Sequence, residues 1–193
     1  ENIPGAQGII ATQNLIRAQP DGYRVMLMNT RQQFTSGFVM DKAPYDLSKD
    51  ITPIIPFAYF RLAVIAHPTI PGKDLLEILQ YAKANPNKVS YANVGISGHL
   101  AMAMAARKVG AEMLAVPYKG AGPSFLAVIS GEVNLAYSSL AIAKPAAEAG
   151  KVKLIAVTGN RRAAAFPSTA SLGESNSDPN LGTFWGLYAP AKT

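Results

Sequence analysis

At 193 residues the chain is long enough for one large domain or two small ones, and its 49% apolar and 16% charged composition predicts a well-buried core. Its formal charge of +6 comes from basic residues scattered along the chain rather than gathered in a stripe with interleaved aromatics, which argues against nucleic acid as a partner. It has no cysteine, which excludes disulfides, zinc–thiolate sites and thiol catalysis, and no apolar run near the roughly 20 residues of a membrane helix.

The first residues, Glu1-Asn2-Ile3-Pro4, lack the basic start and apolar h-region of a signal peptide, and there is no initiating methionine. A processed or truncated chain is the expectation. Ile9, Ile10, Leu15 and Ile16 give helical spacing over Gly8 to Ala18, ended by Pro20-Asp21-Gly22. Tyr23 to Met28 predicts a strand leading to Asn29-Thr30-Arg31. The stretch Ile51 to His67 is interrupted by Pro53, Pro56 and Arg61 and reads as strands, Leu62 to Ala66 among them. Asp74 to Lys83 is an amphipathic helix, with Leu75, Leu76, Ile78, Leu79 and Ala82 on or near one face.

From Val89 onward one unit repeats. The predicted strands are Val89 to Ala92, Met113 to Val116, Val133 to Tyr137 and Val152 to Val157. Between them lie helices from His99 to Val109, from Pro123 to the stop at Gly131, and from Leu140 to Ala149. Such alternation predicts right-handed crossovers and a largely parallel sheet, with the strand-to-helix loops at one edge. Ala163 to Thr183 turns polar and Pro/Gly/Ser-rich, as a surface connection would, and Phe184 to Tyr188 is a strand returning to the first part of the chain.

Two of these loops are glycine-rich: A-N-V-G-I-S-G-H-L at residues 92 to 100 and V-P-Y-K-G-A-G-P-S at 116 to 124. A glycine turn that opens a helix directs free backbone N–H groups and the positive end of the helix dipole at one point, which suits a carboxylate or phosphate. Neither turn contains an acidic residue, so His99 lacks the orienting carboxylate that a general base needs, and no metal-ligand spacing is present. G-I-S-G is not a nucleophile elbow, and Lys119 precedes its glycines, unlike the lysine of a P-loop. No catalytic residue, metal or cofactor is expected.

Several segments occur in a telling order. They are E-N-I-P-G-A-Q-G at 1 to 8, P-D-G-Y at 20 to 23, P-Y-D at 44 to 46, H-P at 67 to 68, K-A-N-P at 83 to 86 and G-H-L at 98 to 100. V-P-Y-K-G-A-G-P at 116 to 123, A-V-T at 156 to 158 and W-G-L-Y-A-P-A at 185 to 191 complete the set. In this order they resemble the extracytoplasmic solute receptors of the tripartite tricarboxylate transporter family, the TctC or Bug proteins. The resemblance implies an α/β, two-lobed fold of the type II periplasmic-binding-protein kind, with parallel-sheet lobes. Residues 1–57 would be a partial first lobe, 58–183 the second lobe, and 184–193 a return strand. Family members begin with an export signal and a strand–loop–helix carrying a P-F-x-x-G-G-like loop, and end in further helices. Neither has a counterpart here, so the first lobe is expected to be incomplete.

The resemblance further implies a periplasmic receptor, not an enzyme, that delivers a small organic carboxylate to membrane permease subunits. The ligand would sit between the lobes, held by backbone N–H groups and ordered waters. The matching positions are Thr30 and Arg31, Asn93, Ser97, Gly98 and His99, then Gly120, Ala121 and Gly122, and Ser138. Ser97 is also the natural N-cap of the following helix, and tight turns alone would account for the glycines. Arg31 could pair bidentately with a second carboxylate or be a solvated surface residue. Family members that bind amino acids tend to carry an acid at the position of Ser138, so a non-amino mono- or dicarboxylate, aromatic acids included, is the expected ligand. An α/β enzyme and the ligand-sensing domain of a regulator are the alternative readings.

Overall fold

The computed structural model describes residues 1–3, 5–29, 44–174 and 183–193. The chain forms two compact units, one comprising Glu1–Tyr59 with Thr183–Thr193 and the other Phe60–Gly182.

In the smaller unit, helix α1 (Ile9–Ile16) follows Gly8 in the left-handed conformation and buries Thr12 and Leu15. Strand β1 (Met26–Asn29) starts later than its sequence predicts. Asp21 explains the delay: its carboxylate accepts the Tyr23 N–H at 3.0 Å, an Asx-type turn that holds Tyr23 in a bend. The proline-containing stretch forms a short helix, α2 (Leu47–Asp50), capped by Asp46, and then strand β2 (Ile51–Phe60). Strand β8 (Thr183–Pro190) lies between β1 and β2, antiparallel to β1 with Met26 opposite Tyr188. Among the described residues β2 is therefore an edge strand, where Pro53 and Pro56 can be accommodated without breaking a central ladder. Leu15, Met28, Ile51 and Tyr188 form the core of this unit.

The larger unit is a three-layer α/β arrangement. In chain order its elements are β3 (Leu62–Ala66), α3 (Leu75–Ala84), β4 (Ser90–Asn93), α4 (Ile96–Val109), β5 (Leu114–Pro117), α5 (Ala121–Ser130), β6 (Leu135–Ser139), α6 (Leu140–Glu148) and β7 (Lys153–Val157). The sheet order is β5-β4-β6-β3-β7. β4 is parallel to both β5 and β6, and β3 runs antiparallel to β6 and β7. Alternation along β3 divides the core. Val64 and Ala66 face Ile78, Leu79 and Ala82 of α3 with Met102 and Ala106 of α4. Ala63 and Ile65 face Ala127 and Val128 of α5 with Ala143 and Ala146 of α6. Each fully buried Ile, Leu or Met in such a core contributes about 1.5–3 kcal/mol.

The connection after β7 departs from the expected surface loop. Ala163, Ser171 and Leu172 are buried, and Leu172 N–H donates to the Val157 carbonyl at 2.8 Å. One apolar side chain in a polar run thus enters the core beside Ile155 and Ala156. Among the described residues no helix is long and apolar enough to cross a membrane.

Candidate functional site

Parallel pairing brings the carboxyl ends of β4, β5 and β6 to one edge of the larger unit's sheet. Asn93 ends β4 level with Pro117 of β5, and the Tyr118 N–H donates to the Asn93 carbonyl at 2.8 Å. β6 ends at Ser139, opposite Leu62 of β3. Both glycine-rich turns and the Ser138-Ser139 pair therefore leave the same edge.

The two glycine turns share a local geometry. α4 has Gly95 as N-cap and α5 has Gly120, and neither cap makes a side-chain hydrogen bond to its helix. The first helical bond of α4 is from His99 N–H to the Gly95 carbonyl at 3.1 Å, and that of α5 from Ser124 N–H to the Gly120 carbonyl at 3.4 Å. The N–H groups of Ile96, Ser97 and Gly98, and of Ala121 and Gly122, thus precede the helical ladders and have no intrahelical acceptor. Gly120 has φ 118°, a left-handed value that only glycine adopts without strain. A Cβ added to Gly120 or Gly122 would meet nothing within 4 Å, so both positions have room for a side chain.

Other helix starts in the larger unit are closed by side chains. The Asp74 carboxylate accepts the Glu77 N–H at 2.9 Å, and Glu77 accepts the Lys73 N–H at 3.0 Å, a reciprocal cap on α3. The Ser139 hydroxyl accepts the Ile142 N–H at the start of α6. Among the described residues α3 and α6 are thus closed by side-chain oxygens, whereas α4 and α5 start from glycine N-caps without a side-chain cap.

Among the ten expected site residues, Asn93, Ser97, Gly98, His99, Gly120, Ala121, Gly122 and Ser138 lie on this edge or in the first turns of the two helices. Thr30 and Arg31 lie outside the described residues. Two local expectations change. Because α4 begins at Ile96, Ser97 is its second residue rather than its N-cap, and α5 begins two residues before Pro123. Ser138 is buried, with its hydroxyl 3.4 Å from the Ser139 carbonyl.

Tyr91 and Tyr137, not anticipated from the sequence, build the wall of the α4 turn. A Cβ on Gly98 would lie 3.3 Å from the Tyr137 ring, so glycine lets the turn rest on β6. The Tyr91 hydroxyl lies 2.8 Å from His99 Nδ1, with the rings stacked at a centroid distance of 6.0 Å. On the α5 side, the Tyr118 hydroxyl donates to Glu132 at 2.7 Å, a bond that raises the phenol's pKa. Among the described residues no group of three or more His, Asp or Glu side chains is placed to hold a metal ion.

Solved structures similar to this mixed α/β fold include periplasmic binding proteins of the TctC/Bug type. The periplasmic binding protein BugD superposes over the whole chain with a TM-score of 0.86 at 31% identity, and the chain covers 65% of it. A Rhodopseudomonas palustris protein solved with adipate gives a TM-score of 0.88 at 26% identity, with 100% of this chain and 66% of that one covered. MatC from the same organism, solved with bound malate, gives 0.86 at 26%, with 100% and 67% covered. The model of the tripartite tricarboxylate transporter family receptor matches residues 1–193, and the chain belongs to that family. Curated relatives include a UPF0065 protein of Bordetella pertussis, 32% identical, and one encoded in the gbd 5′ region of Cupriavidus necator, 34% identical. All of this chain aligns with 60% of the first and 59% of the second, so it spans about three fifths of their length.

Proposed function

We propose that the chain is the ligand-holding part of a periplasmic receptor that captures a small non-amino carboxylate and hands it to a tripartite tricarboxylate-type permease. The observation that carries this is the pair of helix starts, α4 and α5, without side-chain caps at one sheet edge. A carboxylate there accepts N–H groups that have no acceptor within their own helices, and each helix end adds about 0.3–1 kcal/mol of dipole attraction. No general base, nucleophile or metal cluster is needed, which favours binding over turnover.

The absence of an acid at Ser138 supports a ligand without an ammonium group, because the buried hydroxyl offers no charge to meet one. Malate and adipate, held by two structural neighbours, fit that class. Thr30 and Arg31 are proposed to contribute contacts to the same ligand, with Arg31 suited to a second carboxylate.

Isothermal titration calorimetry of the full-length protein provides the test. Malate or adipate is expected to bind, whereas aspartate and glutamate give no heat. Tight aspartate or glutamate binding with no response to the plain di-acids would refute the ligand class, and turnover of a bound acid would refute the receptor.

A further inference from the structure

His99 has two neutral tautomers, and the one present decides whether its outward nitrogen donates or accepts a hydrogen bond. The residue sits in the first turn of α4, exposed at the carboxyl edge of the sheet. Its Nδ1 is 2.8 Å from the hydroxyl of Tyr91, a residue only 4% exposed that packs in the core beneath α4. Among the described residues the Tyr91 hydroxyl has no other hydrogen-bond partner. If Nδ1 carried the proton, it would donate to the phenol oxygen, and the phenol's own hydrogen would be left in a buried setting without an acceptor. Leaving that donor unmade costs about 1–3 kcal/mol, whereas donation from Tyr91 to Nδ1 satisfies both groups. Burial also raises the Tyr91 pKa, which keeps the phenol protonated and able to donate.

We propose that Tyr91 is a positioning residue that locks His99 in its Nε2–H tautomer, so that the ring presents a fixed neutral donor to the ligand carboxylate. With Nδ1 tied inward, Nε2 lies on the opposite side of the ring, turned away from the core. The donor adds to the backbone N–H groups of Ile96, Ser97 and Gly98 within the same helical turn. Stacking of the two rings holds the imidazole plane, so donor direction as well as tautomer is set before ligand arrives. The inference rests on a carboxylate binding at the α4 start, and Tyr91 acts on it only through His99.

Nitrogen-15 NMR of histidine-labelled full-length protein reads the tautomer directly. Wild type is expected to show the Nε2–H form of His99, and Tyr91→Phe a mixture of both forms with malate or adipate affinity reduced about 5- to 10-fold. In a His99→Gln background, where an amide N–H replaces Nε2–H without needing Tyr91, the Tyr91→Phe change is expected to leave affinity unaltered. An Nδ1–H tautomer in wild type would overturn the inference, even if Tyr91→Phe fails to fold. So would wild-type affinity and an unchanged tautomer in Tyr91→Phe. If wild type binds no di-acid, the receptor reading and the donor role fall together, while a locked Nε2–H signal would show that the tautomer assignment itself was right.

Discussion

The larger unit covers both faces of its sheet with helices, and its two core clusters include Ile65, Ile78, Met102 and Leu135, all fully buried. The smaller unit has a core cluster of Leu15, Met28, Ile51 and Tyr188 and exposes Tyr23, Leu27, Ile54, Phe57 and Tyr59. It also contains an open cavity of about 690 Å³ flanked by Leu15, Tyr23, Leu27 and Trp185. Both units are built from the same apolar-rich sequence, so composition does not separate them. The number of layers does: a sheet with helices on both faces buries every residue of Ala63–Ala66, whereas the ten-residue β2 buries only Ile51. The described part of the proposed site therefore stands on the better-supported scaffold, as a site held by backbone donors requires.

The largest expected effect contrasts the two cores. Met102→Ala removes a side chain with no exposed surface and is expected to cost about 2–5 kcal/mol in denaturant unfolding. Phe57→Ser, at a position 66% exposed, is expected to change stability by less than about 0.5 kcal/mol. A Phe57→Ser cost comparable to that of Met102→Ala would break the contrast, because it would mean that the exposed face is packed in solution.

Next in size is an effect on binding that leaves the scaffold intact. Gly122→Leu adds a bulky side chain within the first turn of α5, where a Cβ meets nothing within 4 Å, and should fold normally. The stabilisation of about 2.7 kcal/mol that a ligand gives at 100 times its dissociation constant should then be lost in thermal unfolding of the full-length protein. Gly120→Leu adds a side chain to the same turn but also about 1–3 kcal/mol of backbone strain, because φ 118° with ψ 173° is a conformation that L side chains rarely adopt. Undiminished ligand stabilisation in Gly122→Leu would detach the α5 turn from binding.

Cap removal sharpens the difference between closed and open helix starts. Asp74→Ala and Ser139→Ala are each expected to destabilise the larger unit by about 1 kcal/mol, from loss of the N-cap. Asp74→Ala should leave ligand affinity unchanged, since α3 starts at the opposite edge of the sheet from α4 and α5. A drop in affinity with Asp74→Ala would mean that the two edges are coupled.

How far the sequence announces these features depends on whether the signal is local. Helix ends were legible because Gly110 and Gly131 adopt the left-handed C-cap conformation that glycine favours. The starts of α4 and α5 were less so, because glycine caps carry no side-chain signature and Ser97 imitates one. β2 was difficult to delimit because edge position, a tertiary property, is what tolerates Pro53 and Pro56. The burial of Leu172 depends on pairing with β7, and the Tyr91–His99 contact joins residues eight apart across a turn; neither has a periodicity to read. The order of short motifs singled out both glycine turns, while the hydrogen bond between Tyr91 and His99 emerged only from packing.

The smallest expected effect returns to the smaller unit and depends on pH. Lys49 holds the Asp46 carboxyl at about 2, chiefly through a hydrogen bond within their 2.8 Å ion pair, and the side chain and backbone of Ser48 lower it further. A carboxyl depressed on folding contributes its stabilisation fully above the unfolded value near 4 and loses it as pH falls through the folded value near 2. The α2 cap should therefore weaken between about pH 4 and 2, and Asp46→Asn should remove that component of the acid titration. Exposure and salt screening keep the effect small, so it should shrink further as ionic strength rises. Equal acid sensitivity of wild type and Asp46→Asn at low salt would show that the cap adds nothing to the smaller unit, leaving its stability to the Leu15–Met28–Ile51–Tyr188 cluster and the β1–β8 pairing.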